Sequence, residues 1–282
     1  MNLILRKTKA LLLLLVIILS QALCSKPPFE SVSIVTFNLR ILSNNSRDES
    51  ELRQICSLLK DYDFIAIQEA RDTLILDRAV EMLRNEYRLD YRYIASPEVG
   101  RGVKEIYAFL FRNDRVRFLS DAALVPDRED VFIRDPFYAL FKAGEFDFYA
   151  VTVHSIFGTS KKERQSEALK LADAFSFVQD LNSENDVLLM GDFNLEPQDE
   201  GFEALRNIPG MLFVNESLPT SIKDQLYDNI WFQGIYSREF TGEFGVLKFD
   251  EILFGNNDRS ASLAVSDHRP LWARFSSILD DD

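Results

Sequence analysis

The chain predicts an α/β or α+β fold in which strand-rich sheets pack together and helices lie outside. Three observations lead there. Seven short apolar runs rich in Val, Ile and Phe recur, with the length and β-branched or aromatic content of strands. Three stretches between them repeat apolar residues at three- and four-residue spacing, the pattern of helices with one buried face. No Pro-, Gly- or Ser-rich linker, internal repeat or low-complexity segment interrupts the order, so one globular domain with a sizeable core is expected.

Residues 1–24 come first. Arg6, Lys7 and Lys9 precede "ALLLLLVIILSQAL", and Ala22 and Cys24 are small residues suited to a signal-peptidase cut. The segment reads as a secretory signal. A membrane anchor competes, because the run is near the lower length limit for a span. Leu23 stands where a bacterial lipid anchor needs a small residue. Cleavage leaves residues 25–282 as a single catalytic-sized domain, secreted to the extracellular space or a periplasm, monomeric and without stable membrane association. It also removes three basic residues and no acidic one, moving the formal net charge from −13 to −16. Such a surface repels polyanions at long range. That counts against a passive nucleic-acid binder and leaves a local basic cleft or bound cations as the means of contact.

The remaining elements follow in order. "SVSIVTFN" (31–38) is a strand ending at Asn38, and "ESELRQICSLLKD" (49–61) a helix in which Cys56 is a small buried apolar residue. With Cys24 at the cut, no disulfide is expected. "DFIAIQE" (63–69) is a strand closing on Glu69, "DRAVEMLRNEY" (77–87) a helix, and "EIYAFLFR" (105–112) a strand opening on Glu105. "FDFYAVTVHS" (146–155) carries His154, and residues 161–181 form an amphipathic helix laid on a sheet. "DVLLMGDFN" (186–194) ends in Asp192 and Asn194, "YDNIWF" (227–232) holds Asp228, and "LAVSDHRPLWARF" (263–275) holds Asp267 and His268. Sequons at Asn44 and Asn215 offer glycan acceptors in a eukaryotic host.

Five of these runs stop on or just before a residue able to bind a metal or move a proton: Asn38, Glu69, His154, Asp192 with Asn194, and Asp267 with His268. Strand ends of open sheets are common ligand sites. The chain has only two histidines, and a pair can supply one base and one acid in a single cycle. Glu69, with Asn38, Asp192, Asn194 and Asp267, offers the oxygen donors that a hard cation such as Mg²⁺ prefers. Arg40, Arg71, Arg101 and Arg134 lie close to these motifs and form a candidate set of phosphate donors. Each residue also has an ordinary reading. The Asp and Asn residues suit turns and caps, Glu69 suits a pair with Arg71, Glu105 a charge beside Lys104, and Asp228 a turn after Tyr227.

The ordered set "FNLR", "IQEARD", "GRGVKE", "FLFR", "TVHS", "GDFN", "YDNI" and "SDHRP" resembles the endonuclease/exonuclease/phosphatase superfamily, most closely its deoxyribonuclease I branch. The resemblance runs from about residue 32 to 275. It implies a four-layer sandwich of two packed mixed β-sheets flanked by helices. It further implies that Glu105 pairs with His154 and Asp228 with His268, as a catalytic set. Glu69, Asn38, Asp192, Asn194 and Asp267 would hold Mg²⁺, with Mn²⁺ or Ca²⁺ as alternatives, and the four arginines would contact DNA through its backbone. The implied reaction is metal-dependent hydrolysis of DNA phosphodiesters.

The chain departs from that branch in places. The positions of its disulfides lack cysteine, so its stabilising calcium sites cannot be assumed. Val103 stands where the branch has a groove-contacting tyrosine, in a loop one residue shorter. The rival readings are a sphingomyelinase or other secreted phosphodiesterase of the superfamily, and a nuclease subunit of a multi-subunit toxin. The first would carry an exposed apolar membrane-docking loop, which the sequence does not suggest.

Overall fold

A computed structural model describes residues 29–181 and 184–279; the expected signal segment, residues 1–24, lies outside them. In chain order the elements are β1 (Ser31–Leu42), α1 (Glu49–Leu59), β2 (Phe64–Ala70), α2 (Thr73–Tyr87), β3 (Tyr91–Ala95), β4 (Ile106–Arg112), β5 (Arg117–Leu124), β6 (Phe137–Ala143) and β7 (Phe146–His154). There follow α3 (Lys161–Ala168), α4 (Leu171–Gln179), β8 (Val187–Asp192), a 3₁₀ turn (Glu200–Phe202), α5 (Glu203–Arg206), β9 (Met211–Phe213) and β10 (Asp228–Gln233). The chain closes with β11 (Phe240–Val246), α6 (Phe249–Phe254), α7 (Asp258–Ala264) and β12 (Leu271–Ser276). No helix among the described residues is long and apolar enough to cross a membrane.

The strands form two mixed six-stranded sheets, ordered β11-β12-β1-β2-β4-β3 and β5-β6-β7-β8-β10-β9. Their faces meet in an aromatic layer. Phe64 and Phe109 of the first sheet pack on Phe141 of the second, with ring centroids 4.9 and 5.5 Å apart. Helices cover the outer faces. Leu52, Ile55 and Leu59 of α1 and Ile75, Leu76 and Leu83 of α2 pack on the first sheet, and Leu171, Phe175 and Val178 of α4 pack on the second. This is the expected four-layer sandwich. The central strands read as unbroken apolar runs because both their faces are buried: Val32 and Ile34 of β1 point between the sheets, Val35 and Phe37 toward the helices.

Each sheet has a parallel pair at its centre, β1 with β2 and β7 with β8. Parallel strands end on the same edge. β10 enters that edge antiparallel to β8, with Asp228 opposite Asp192, so five chain segments deliver polar residues to one place.

Some expectations need correction. The amphipathic stretch is two helices, because the first packs on the 3₁₀ turn, where a Cβ on Gly201 would meet the Gln165 backbone, while the second turns its apolar face to β7 and β8. The opening of the last run is not strand: Asn257 accepts from Ser260 N at 3.1 Å and caps α7, which takes residues 258–264. Asn215 is fully buried and its Nδ2 donates to Leu218 O at 2.8 Å, so it cannot accept a glycan in the fold. Cys56 is buried and free.

Candidate active site

At the shared edge, each histidine is held from behind by a carboxylate. His154 Nδ1 is 2.8 Å from Glu105 Oε1, and His268 Nδ1 is 2.8 Å from Asp228 Oδ2. Both carboxylates are fully buried. Each therefore fixes the Nδ1–H tautomer of its ring and leaves Nε2 on the side away from that carboxylate. The two Nε2 atoms converge: His154 Nε2 lies 3.6 Å and His268 Nε2 3.5 Å from the same oxygen, Asp192 Oδ2.

The backbone is bent to make this convergence. His154 and Asp192 are register neighbours on β7 and β8, and Gly191 beside them has φ +151°, where a Cβ would run into the Val153 carbonyl. Arg40, Ile41, Glu69 and Asn194 all have positive φ, at 35°, 53°, 62° and 53°, a conformation that costs about 1–3 kcal/mol per residue and clusters at functional sites. Local bonds hold three of them in place. Arg40 N donates to Asn38 Oδ1 at 3.0 Å, Ile41 N to Glu69 Oε2 at 3.0 Å, and Asn194 N to Asp192 Oδ1 at 3.0 Å.

Asn38 ties the carboxylates together. Its Nδ2 donates to Glu69 Oε1 at 3.2 Å and to Asp192 Oδ2 at 3.1 Å. Burial disfavours the Glu69 carboxylate, but His154, the Ile41 N–H, the Asn38 amide and Arg71 together outweigh it and hold the pKa below the ordinary glutamate value. Burial likewise opposes charge on His268, yet Asp228 and Asp192 push it up to about 10. His154 moves the same way: Glu105 and Asp192 overcome burial and Arg134. Asp228 is raised by burial to about 6, with His268 opposing; near neutral pH the pair is an imidazolium facing a carboxylate.

Arg134 Nε lies 3.1 Å and Arg71 Nη1 3.9 Å from Glu105 Oε2. Arg40 and Asp267 sit at the rim, 3.7 Å apart. Arg101 stands apart from the others: it is half-exposed and pairs with Asp130 at 2.9 Å. Asn194 Nδ2 is committed to Ser155 O at 2.8 Å. The cleft, about 510 Å³, is lined by Glu69, His154, Asp192, Asp267 and His268, and also by Phe157 and Lys223.

Several supporting residues had little or no signal in the sequence. Ser266 Oγ donates to Asn38 O at 2.6 Å and accepts from His268 N at 3.0 Å, joining β1 to the His268 loop. Thr220 Oγ1 accepts from Asp228 N at 2.9 Å. Gln68 Nε2 donates to Thr152 Oγ1 at 2.8 Å and so links the two sheets under the site. A polar residue inside an apolar strand run was the only hint of the last.

Glu167 is a further buried carboxyl near His154. Its Oε1 accepts from Ile156 N at 3.2 Å. Burial raises its pKa from 4.5 to about 7, against the Ile156 and Ile133 N–H groups. The folded state then holds a proton that the unfolded state has released, so stability falls as pH rises from about 4.5 through about 7, by about 3 kcal/mol in total. Glu167→Gln should flatten that slope; equal slopes in denaturant melts of the two proteins across this window would refute the assignment.

The oxygen donors fit a hard cation. Glu69, Asp192, Asp267, Glu105 and Asp228 face Arg40, Arg71, Arg134 and two imidazoles, so the set balances only when both rings are charged. A neutral ring, as a base must be, leaves surplus negative charge that a divalent ion would offset. Asp192, Asp228 and His268 also bring a ligand atom each within 4.8 Å of one another, and the last two are bonded to each other at 2.8 Å.

A family profile described as Endonuclease/Exonuclease/phosphatase matches residues 35–268. The chain belongs to that family. Within it, the chain resembles deoxyribonuclease I. It is 28% identical to a deoxyribonuclease of Thioalkalivibrio sp. (strain K90mix), over 96% of this chain and 77% of that one. It is also 28% identical to deoxyribonuclease-1 of Equus caballus, over 86% and 91%. Among solved structures, an endonuclease/exonuclease/phosphatase family protein from Leptotrichia buccalis superposes with a TM-score of 0.62 at 15% identity, covering 86% of this chain and 98% of that one. The two-sheet sandwich is thus the family fold.

Proposed function

We propose that the protein is a secreted, divalent-metal-dependent endonuclease that hydrolyses DNA phosphodiesters with paired histidines, acting as the single domain 25–282 after loss of residues 1–24. One observation carries the reading: two imidazoles, each oriented by its own buried carboxylate, aim their Nε2 atoms at the same Asp192 oxygen within 3.5 and 3.6 Å. A water or phosphate oxygen seated beside that atom would be within reach of both rings. One imidazole would take the proton of the attacking water, and the other would return a proton to the leaving 3′ oxygen. Glu105 and Asp228 hold the rings in position and stabilise each imidazolium as it forms.

Glu69 and Asn38, with Asp192, Asn194 and Asp267, would hold Mg²⁺, or Mn²⁺ or Ca²⁺ in its place, and the ion when bound would stabilise charge developing on the phosphate. Arg40, Arg71 and Arg134 would clamp the flanking phosphates, offsetting the acidic surface locally. Contacts of this kind read the backbone, so weak sequence preference is expected. The relatives' names support DNA as the substrate.

Supercoiled-plasmid nicking in Mg²⁺, in Mg²⁺ with Ca²⁺, and in chelator tests the reading. Nicking should require the metal and vanish in chelator. A folded protein that nicks equally well in chelator, or not at all in any metal, would overturn it.

A further inference from the structure

We propose that Phe157 and Arg164 form a preformed seat for an unstacked nucleobase beside the scissile phosphate, so that the enzyme prefers single-stranded or frayed DNA to continuous duplex. The inference rests on the reading of the site as a deoxyribonuclease. Phe157 lines the same cleft as His154, Asp192 and Asn194, yet the residue is 59% exposed. A large ring left open inside a polar cleft has no role in the core.

The ring is not loosely placed. The Arg164 guanidinium lies 5.0 Å from its centroid, and Arg164 Nη1 donates to the Phe157 carbonyl at 2.8 Å. Among the described residues Arg164 has no ion-pair partner within 4 Å, and its Nε has no hydrogen-bond partner, so its placement follows the ring and that carbonyl. The loop after Phe157 is clamped to the first turn of α3. Thr159 donates through N and Oγ1 to Glu163 at 2.9 and 2.7 Å, and Ser160 Oγ accepts from Glu163 N at 3.3 Å. Gly158, at φ +60°, makes the bend, and a Cβ there would meet Glu163.

An aromatic ring with a cation against it is the surface on which single-stranded bases stack. Because loop and ring are already ordered, little conformational entropy is lost on binding. Bases within a duplex have both faces covered by their neighbours, so only an unstacked base can use the seat. The acidic cleft floor of Glu69, Asp192 and Asp267 fits a metal-bridged phosphate and disfavours insertion into a lipid surface.

The test measures kcat/KM of the full chain for a labelled single-stranded oligonucleotide and for the same sequence closed as a hairpin duplex, with Phe157→Ala, Phe157→Trp and Arg164→Gln. Wild type should favour the single strand. Phe157→Ala should lower the single-strand to duplex ratio by about 5- to 150-fold, Arg164→Gln should lower it less, and Phe157→Trp should keep it. A ratio unchanged by Phe157→Ala while both substrates are cut would overturn the seat and leave the deoxyribonuclease reading intact. Cleavage of neither substrate by the folded wild type would overturn both. If Phe157→Ala instead abolishes co-sedimentation with phosphatidylcholine–sphingomyelin vesicles and leaves the ratio alone, the ring serves a membrane and the seat is refuted.

Discussion

His268→Asn is expected to lower kcat for plasmid nicking by about 10²- to 10⁴-fold, the range a positioned acid or base contributes, and to lower Tm less than His268→Ala does. Asparagine is the informative substitution because its amide can still donate to Asp228 Oδ2, which His268 Nδ1 meets at 2.8 Å. The buried carboxylate then keeps a partner and the fold is spared, while the atom facing Asp192 is lost. His268→Ala removes both and should also cost stability, since Asp228 is fully buried; added imidazole should restore part of its rate. His154→Ala should lose a similar factor. The losses should not multiply in the double variant, because the proposed mechanism places both rings in one reaction cycle. A His268→Asn enzyme turning over at the wild-type rate would refute the paired-histidine mechanism.

How much of this was legible in the sequence depended on burial. Asn38, Glu69, His154 and Asp192 stood out because central strands covered on both faces give continuous apolar runs, and a polar residue closing such a run is conspicuous. Edge strands leave no such trace. β11 is mostly exposed and contains Gly242 and Gly245, β5 is broken by shifts in register around Ser120, and β9 spans three residues. β6 does leave a local trace: Gly144 and Glu145 join it to β7 as a tight hairpin between two Phe-rich runs. The arginines were the weakest part of the pattern. Arg101 sits in a site motif yet bonds Asp130 at the surface, because proximity in sequence does not set where a long side chain points. The hydroxyls of Ser266 and Thr220 act across the fold, and local sequence carries no record of such pairings.

Asp250→Ala should be the most destabilising single change near the site. Arg269, the residue after His268, donates through Nε and Nη2 to Asp250 Oδ1 and Oδ2 at 2.8 and 2.6 Å, and both side chains are almost wholly buried. Without Asp250 the guanidinium keeps, among the described residues, only Asp224 as an ion-pair partner, 3.7 Å away and largely exposed. Breaking such a pair costs about 3–5 kcal/mol, or about 6–20 °C in Tm for a domain of this size. The pH dependence has a definite sign. Burial opposes the Asp250 carboxylate, but Arg269 outweighs it and holds the pKa below 3.8, so the pair's contribution is complete above that value and is lost as pH falls through the folded-state pKa. The gap between wild type and variant should therefore narrow in acid. Arg269 N also donates to Thr220 O at 2.6 Å, and Thr220 holds Asp228, so the same strand of contacts sets both members of the His268 pair. Replacing both charges together, Asp250→Leu with Arg269→Met, should recover stability, because well-packed apolar residues match or exceed a buried ion pair. If nicking stays low in that recovered protein, the ion pair serves to place His268; if nicking returns in full, the pair contributes stability alone. A Tm for Asp250→Ala equal to that of wild type would contradict both outcomes.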